Sequence, residues 1–195
     1  MLNRLCDILF SLFGIVILLP VFILISILVG VSSRGGIFYR QIRVGKNNKD
    51  FALFKFRSMK VGADKDGLLT VGNKDSRITK VGVFLRKYKL DELPQLFNVL
   101  IGEMSLVGPR PEVRKYVELY TVEQKKVLIV RPGITDYASI EYRRENEILA
   151  KAENPEQVYI NEILPHKLQL NLKYINDQSL SAYFSIIFKT IGKIF

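Results

Sequence analysis

Two adjacent carboxylates, Asp91 and Glu92, lie between two segments that carry Arg86 and Arg110. A carboxylate can act as a nucleophile or a base, and guanidinium groups hold phosphate oxygens through paired, charge-assisted hydrogen bonds. The chain also begins with an apolar stretch that has no charged residue over positions 8–31. Together, these features predict phosphate chemistry at a membrane surface.

The carboxylate pair also has a purely structural interpretation. Asp91 is placed to cap a helix predicted over 92–101, which would end at Gly102 and tolerate Pro94 in its first turn. Glu92 would then be a favourable first-turn charge. The same helix terminus would keep a carboxylate ionised and present N–H groups to phosphate oxygens, so capping and catalysis are compatible roles.

Further cations lie in extended or rigid segments. Lys55 and Arg57 share one face of a strand predicted over 51–59, where they either bind phosphate or form a solvated face. Arg110 lies between two prolines, and Arg131 precedes another. These turns leave a guanidinium little conformational freedom to lose, which favours phosphate binding.

Composition limits the classes of function. The chain has 195 residues, enough for one domain with a core, and a formal net charge of +10, which indicates an anionic partner such as nucleic acid, acidic lipid or a phosphorylated substrate. Cys6 is the only cysteine, so an intramolecular disulfide is excluded. His166 is the only histidine, which argues against a Ser-His-Asp triad or a His-rich zinc site.

The apolar stretch is long enough to cross a bilayer, since a helix over 8–31 would be about 36 Å long. Pro20 lies in its middle and would kink such a helix. Positive charge lies on both sides, at Arg4 and Arg34, and the positive-inside rule would keep both ends on the cytoplasmic face. The residues leave a spanning helix and a re-entrant helical hairpin as alternatives.

Periodicity and turn residues predict the remaining elements. Strands over 37–43 and 51–59 form a hairpin, and the segment 61–76 is a mobile loop. Helices are predicted over 78–88, with Val81, Phe84 and Leu85 buried, and over 112–128, with Val113, Tyr116, Val117, Tyr120 and Val127 inward. A wide aromatic stripe over 180–194 predicts a helix that lies either in the core or on a membrane surface.

Taken together, the motifs resemble those of the bacterial sugar transferases, the small monotopic phosphoglycosyl transferases. The resemblance covers nearly the whole chain, and its elements stand in the same order and spacing. It rests on the apolar amino-terminal run and on Phe54-Lys55-Phe56-Arg57-Ser58-Met59, Leu90-Asp91-Glu92-Leu93-Pro94-Gln95, Met104-Ser105-Leu106-Val107-Gly108-Pro109-Arg110-Pro111 and Arg131-Pro132-Gly133-Ile134-Thr135.

The resemblance implies transfer of a sugar phosphate from a UDP-sugar to undecaprenyl phosphate, giving a polyprenyl diphosphate sugar and UMP. This is the initiating step of capsule, O-antigen, exopolysaccharide or glycoprotein glycan synthesis. The implied fold is an α/β, mostly helical, monotopic membrane protein. A re-entrant helical hairpin would occupy 1–34, and a catalytic domain with a short β-hairpin and amphipathic membrane-surface helices would occupy 35–195.

The resemblance also implies a location on the cytoplasmic face of the bacterial inner membrane. The expected partners are the lipids of that membrane, and no nucleic acid. The oligomeric state stays open, with a homodimer as one alternative.

The resemblance also implies roles for individual residues. Asp91 would be the nucleophile that attacks the β-phosphate and forms a covalent intermediate, and Glu92 would position or deprotonate the second substrate. Mg²⁺ would bridge the diphosphate and Asp91. Arg86 and Arg110 would hold the remaining negative charge. The candidates for contacts with the diphosphate or uridine are Lys55, Arg57, Arg131 and Arg143.

Two positions depart from the family pattern. Leu19-Pro20 stands at the membrane break, where many members have Ser-Pro. Many members continue after Thr135 with a glycine-rich segment, and only Arg143 of this chain aligns with it. The sequence therefore does not predict which sugar is used or how the nucleotide pocket is shaped.

A different class of function, a non-catalytic membrane-bound basic scaffold in polysaccharide assembly, would make the motifs structural. A nucleic-acid-binding module would explain only the net charge.

Overall fold

The apolar run forms one long helix, α1 (Leu2–Ser32), in a computed structural model that describes residues 2–32, 34–63, 67, 69–70 and 75–194. Its five buried residues recur at helical spacing and form one face, along which α1 packs on the rest of the protein: Asp7, Ser11, Phe22, Ile25 and Val29. Among the described residues, α1 is the one helix whose length and composition would allow it to cross a membrane.

The predicted membrane break at Leu19-Pro20 does not divide the segment into two separate helices, since α1 continues through Pro20. A proline inside a helix removes one backbone hydrogen bond and crowds the preceding turn. Packing on both sides of Pro20 compensates for this loss. Asp7 and Ser11 are buried before the proline, and Phe22 is buried after it.

The rest of the chain is mostly helical and contains a small β-hairpin, as the sequence predicts. Strand β1 (Phe38–Val44) pairs antiparallel with β2 (Asp50–Phe56), and β3 (Ser105–Val107) pairs in parallel with β4 (Gly133–Thr135). The helices after α1 are α2 (Lys80–Lys87), α3 (Gln95–Ile101), α4 (Arg114–Val117), α5 (Tyr137–Glu141), α6 (Glu145–Leu149), α7 (Pro155–Val158), α8 (Leu164–Asn176) and α9 (Leu180–Ile194). A π-helical turn, Tyr159–Ile163, joins α7 to α8.

The helix predicted over 112–128 is wrong, although its inward residues are not. The segment forms the short α4 and a separate 3₁₀ turn, Gln124–Ile129. Thr121 and Gln124 start this new turn, since the side chain of each accepts a hydrogen bond from the backbone N–H of the other. The predicted inward residues are all buried, in a cluster with α8: Val113, Tyr116, Val117, Tyr120 and Val127.

The buried face of α2 differs from the prediction. Phe84 is 54% exposed, whereas Leu85 is fully buried. Gly82 lies so close to the carbonyl oxygen of Ser58 that an added Cβ would collide with it. This contact places Gly82 and Leu85 against the domain and turns Phe84 outward. The predicted loop over 61–76 lies partly outside the described residues.

Helix α9 has one buried and one exposed apolar face. Tyr183 and Ile186 are buried in a cluster with Val107 of β3. On the opposite side Phe188 and Ile191 are 69% and 49% exposed. One face therefore belongs to the core, and the other is an apolar surface.

Candidate functional site

The carboxylate pair lies in a 3₁₀ turn, Leu90–Glu92, between α2 and α3. Lys89, with φ of 57°, takes the left-handed conformation that leads the chain out of α2. The predicted cap at Asp91 is wrong, because α3 starts only after Pro94, which occupies the cap position. Asp91 is instead buried and accepts a hydrogen bond of 3.4 Å from Ser58 Oγ.

Two cations surround Glu92. Arg110 Nη2 donates a hydrogen bond to Glu92 Oε1, and Lys55 Nζ lies 3.6 Å from the same oxygen. The side chains of Glu92 and Lys55 are only 14% and 18% exposed. Solvent therefore screens this group weakly, and its charges act on one another strongly.

Backbone packing of two proline turns places Arg110. Strands β3 and β4 pair in parallel, and Gly108 lies directly against Gly133. A Cβ on Gly133 would collide with the Gly108 backbone, and a Cβ on Gly108 would collide with the carbonyl oxygen of Arg131. Asp136 then accepts a hydrogen bond of 3.0 Å from the Arg110 backbone N–H. The guanidinium also donates to the carbonyl of Ile134, at 3.4 Å.

Asn98 of α3 holds the strand that carries Lys55. Its Oδ1 accepts from the Phe54 N–H at 2.9 Å, and its Nδ2 donates to the Ala52 carbonyl at 2.8 Å. The fully buried Asn98 thus replaces a neighbouring strand for β2. Sequence reasoning missed Asn98, Ser58 and Asp136 as site residues. The only sequence signal for Ser58 is its place in the motif that runs from Phe54 to Met59.

The electrostatics separate the two carboxylates. Burial, together with the neighbouring Glu92 charge, raises the pKa of Asp91, which opposes the stabilisation of the ionised form that the sequence predicts at a helix terminus. Burial alone would raise the pKa of Glu92, but the charges of Arg110 and Lys55 outweigh it and hold this pKa well below its usual range. Burial lowers the pKa of Lys55 to about 8, against the opposing effect of Glu92.

The other predicted cations lie in different environments. Arg86 donates to Thr70 Oγ1 at 2.9 Å, and its charge lowers the pKa of Asp91, so it belongs to the surroundings of the pair. Arg57 donates to the carbonyls of Gly36 and Phe38 beside the hairpin.

The two remaining arginines lie outside this group. Arg131 donates to the carbonyl of Gly102 at 2.7 Å. Arg143 is exposed in the turn after α5 and makes no hydrogen bond or ion pair with other described residues. The structure therefore joins Asp91, Glu92, Lys55 and Arg110, with Arg86 nearby.

The donor set fits one kind of metal. Within the described part of the chain, no cluster of three or more His, Cys, Asp or Glu side chains could hold an ion by itself. Mg²⁺ needs only one or two carboxylates when substrate phosphates supply the other ligands. Because Arg110 and Lys55 engage Glu92, Asp91 is the carboxylate left to bind such an ion.

Comparison with known proteins gives a consistent result. The family described as bacterial sugar transferase matches residues 1–195. The chain is 37% identical to the UDP-glucose:undecaprenyl-phosphate glucose-1-phosphate transferase of Klebsiella pneumoniae, over 99% of this chain and 40% of that protein. It is 36% identical to the UDP-N-acetylgalactosamine-undecaprenyl-phosphate N-acetylgalactosaminephosphotransferase of Aeromonas hydrophila, over 99% and 43% of the two chains.

A shorter relative, the exopolysaccharide production protein ExoY of Sinorhizobium fredii, is 34% identical over 98% of this chain and 84% of its own length. The chain thus spans about two fifths of the length of the first two relatives.

Proposed function

The chain belongs to the bacterial sugar transferase family, and on this premise we propose that it transfers a sugar-1-phosphate from a UDP-sugar to undecaprenyl phosphate. The products are UMP and undecaprenyl-diphosphate-sugar, the lipid that initiates synthesis of a surface glycan. The names of the relatives differ in the sugar, glucose in one and N-acetylgalactosamine in another, so they support the reaction class and leave the sugar to experiment.

The observation that carries this proposal is the convergence on one carboxylate pair. A buried carboxyl group, Asp91, has Glu92 beside it in the chain, and Lys55 and Arg110 both contact Glu92. Phosphoryl transfer requires a nucleophile in line with the leaving group and cations around the phosphate oxygens. Asp91 is the candidate nucleophile and Lys55 and Arg110 are candidate cations, and the fold brings them together from distant parts of the sequence.

In the first half-reaction, an oxygen of the Asp91 carboxylate attacks the β-phosphorus of the UDP-sugar. A new P–O bond forms, the bond to the bridging oxygen breaks, and UMP leaves with that oxygen and its electron pair. Arg110 and Arg86 stabilise the charge on the phosphate oxygens. In the second half-reaction, a phosphate oxygen of undecaprenyl phosphate attacks the same phosphorus and releases the Asp91 carboxylate.

Glu92 acts in this scheme by positioning. A carboxylate whose pKa lies well below its usual range is a poor proton acceptor near neutral pH. Its hydrogen bond to Arg110 and its contact with Lys55 instead keep both cations beside Asp91. The scheme therefore assigns no proton transfer to Glu92.

Mg²⁺ is the proposed cofactor, with Asp91 as its protein ligand and the diphosphate as its other partner. When bound, it would supply positive charge to the diphosphate. It would also favour the ionised form of Asp91, whose pKa is raised in the protein alone.

A turnover panel tests the function. Purified protein in detergent or nanodiscs would receive Mg²⁺, undecaprenyl phosphate and one of several UDP-sugars, and UMP would be quantified. We expect UMP and a lipid-linked diphosphate sugar with at least one donor. Absence of UMP with every donor would reject the transferase and favour the scaffold alternative.

The lowered pKa of Lys55 predicts that turnover depends on pH. Its pKa of about 8 means that the ammonium loses its charge as the pH rises through that value, so kcat/KM for the UDP-sugar should fall above about pH 8. Lys55→Arg should move the fall to higher pH, because a guanidinium stays protonated. Lys49→Arg, at an exposed lysine near the tip of the hairpin, is the matched control and should leave the profile unchanged. An identical profile for Lys55→Arg would contradict the prediction.

We also propose that the protein is monotopic, with its domain on the cytoplasmic face of the inner membrane. Asp7 near one end of α1 and Val29 near the other are both buried against the same charged domain. A helix crossing the bilayer would have these ends on opposite sides, and its contacts would draw the domain into the hydrocarbon region. The two ends therefore belong on one side.

The apolar surfaces support the same arrangement. Phe84 of α2 and Phe188 of α9 are exposed, and lysines flank them on their own helices. Such helices suit a membrane surface with anionic lipids. Single cysteines at Asn3 and Arg34, in a Cys6→Ser background, would test the topology with an impermeant maleimide. Both should react in inverted vesicles and neither in spheroplasts; reaction of Asn3→Cys in spheroplasts would reject it.

A further inference from the structure

Asp7 is a buried carboxylate near the start of α1, only 2% exposed. Its Oδ1 accepts three hydrogen bonds: from Ser105 Oγ at 3.0 Å, from the Leu106 N–H at 2.9 Å and from Tyr183 Oη at 2.8 Å. Ser105 and Leu106 belong to β3, the strand that leads directly to Arg110. Asp7 thereby fixes the cation-bearing half of the site to the membrane helix.

Arg4 lies one turn before Asp7 on the same face, and the two side chains are 4.0 Å apart. Its guanidinium donates to the carbonyls of Val99 and Leu100, at 2.7 and 3.0 Å. These carbonyls lie in the last turn of α3, where a cation is favourable, and the Val99 oxygen also accepts a hydrogen bond from the Gly102 N–H. Helix α3 follows the turn that carries Asp91, so Arg4 fixes the carboxylate-bearing half of the site.

From these contacts we propose that Arg4 and Asp7 are positioning residues. They hold the Asp91–Glu92 turn and the Arg110 turn in register across the first two turns of α1. The inference rests on the proposed function for its catalytic meaning. It goes beyond that function because it makes the amino-terminal helix a part of the site's geometry as well as a membrane anchor.

The choice of residues supports this role. A buried carboxyl group is costly unless it is hydrogen-bonded, and an apolar side chain would pack α1 on the domain at lower cost. Three directed hydrogen bonds on one oxygen instead define where β3 lies relative to the helix. Near-attack geometry is sensitive to displacement, since a shift of about 1 Å can reduce a rate about 100-fold.

The test separates geometry from folding. Wild-type protein, Asp7→Ala and Arg4→Met would be given a UDP-sugar without acceptor, and UMP release would be followed through a single turnover below the thermal midpoint. The amplitude of UMP release gives the fraction of active molecules, and the rate constant depends on how the reacting groups are positioned in those molecules. We expect the rate constant to fall about 100-fold for Asp7→Ala and about 10-fold for Arg4→Met, with KM for the UDP-sugar nearly unchanged. A lower amplitude at an unchanged rate would mean a structural role only.

Two matched controls accompany these variants. Asp177→Asn alters an exposed aspartate between α8 and α9 and keeps an acceptor for the Ser179 N–H. Arg114→Met removes a half-buried arginine that pairs with Asp50 and donates to Asn48, away from the site. Both should retain the wild-type rate constant. Losses equal to those of Asp7→Ala and Arg4→Met would overturn the proposal.

A double-mutant cycle asks whether Asp7 acts through Arg110. In an Arg110→Lys background, Asp7→Ala should cause little further loss, because the guanidinium it positions is already absent. If the fold-losses in rate of the two single variants multiply in the double variant, Asp7 does not act through Arg110.

A readout without turnover distinguishes this proposal from the function itself. The charge of Arg110 lowers the pKa of Lys55 and that of Glu92 raises it. If Asp7→Ala separates Arg110 from Glu92, the lysine should therefore titrate at higher pH, as measured by pH-dependent acylation of Lys55 and mass spectrometry. An unchanged titration would contradict the positioning role even if the wild type released no UMP, a result that would reject the proposed function separately.

Discussion

Asp91→Asn is expected to reduce UMP release by about 10⁴-fold or more, while the protein stays folded and bound to the membrane. An amide oxygen is a far weaker nucleophile than a carboxylate, and no other group in the described site occupies the same place. The residual rate would come from substrate binding and the surrounding cations alone. The measurement is UMP release per folded protein, with and without undecaprenyl phosphate.

The same substitution should not destabilise the protein. The pKa of Asp91 is raised in the folded state by burial and by Glu92, so the ionised form opposes folding. This cost is absent at low pH, where the group is protonated in both states, and grows as the pH rises above the unfolded value of 3.8. A neutral amide removes it. We therefore expect a thermal midpoint at pH 7.5 equal to or above that of the wild type.

Mass spectrometry gives the complementary result. Incubation with a UDP-sugar in the absence of acceptor should add the mass of one phosphosugar to the peptide that carries Asp91, and Asp91→Asn should show no addition. Asp177→Asn is the control for a carboxylate lost elsewhere. Full turnover by Asp91→Asn would refute the nucleophile assignment. If Asp91→Asn loses turnover but the wild type shows no trapped adduct, direct transfer between the two substrates would be favoured.

Local sequence patterns predict the parts of this fold that depend on neighbouring residues. The hairpin of β1 and β2 follows from two alternating segments around a polar turn, and α9 follows from its apolar period. The conformation of Lys89 does not follow from such a pattern, because a non-glycine residue with positive φ is uncommon. That single residue moves Asp91 from the predicted cap to a buried 3₁₀ turn.

Long-range contacts account for most of what the sequence does not predict. The parallel pair of β3 and β4 joins segments that are only three residues long each, too short for a periodic signal. Asp7 reads in the sequence as an ordinary polar residue before an apolar run, and its three hydrogen bonds come from β3 and α9. The motif residues could be selected from the sequence, but their pKa values depend on partners that only the fold supplies.

The pair formed by Glu92 and Arg110 provides the second large expected effect. Arg110→Met should lower kcat/KM by about 10²- to 10³-fold, because a guanidinium aimed at the phosphate oxygens is lost. It should also destabilise the protein by about 2–3 kcal/mol, since Glu92 stays buried with Lys55 as its remaining close cation. The value is below that for a fully buried pair because Arg110 is 31% exposed. Lys126→Met, in an exposed ion pair with Glu123, should change neither quantity measurably.

The double variant Glu92→Gln/Arg110→Met separates the two contributions. Removing both charges eliminates the unpaired buried carboxylate, so thermal stability should return most of the way to that of the wild type. Catalysis should stay at the level of Arg110→Met, because the phosphate still lacks its guanidinium. Recovery of both stability and turnover would show that Arg110 serves only to neutralise Glu92. Recovery of neither would show that the hydrogen bond itself holds β3 against the 3₁₀ turn, which would make the pair a structural link between the halves of the site that Arg4 and Asp7 also connect.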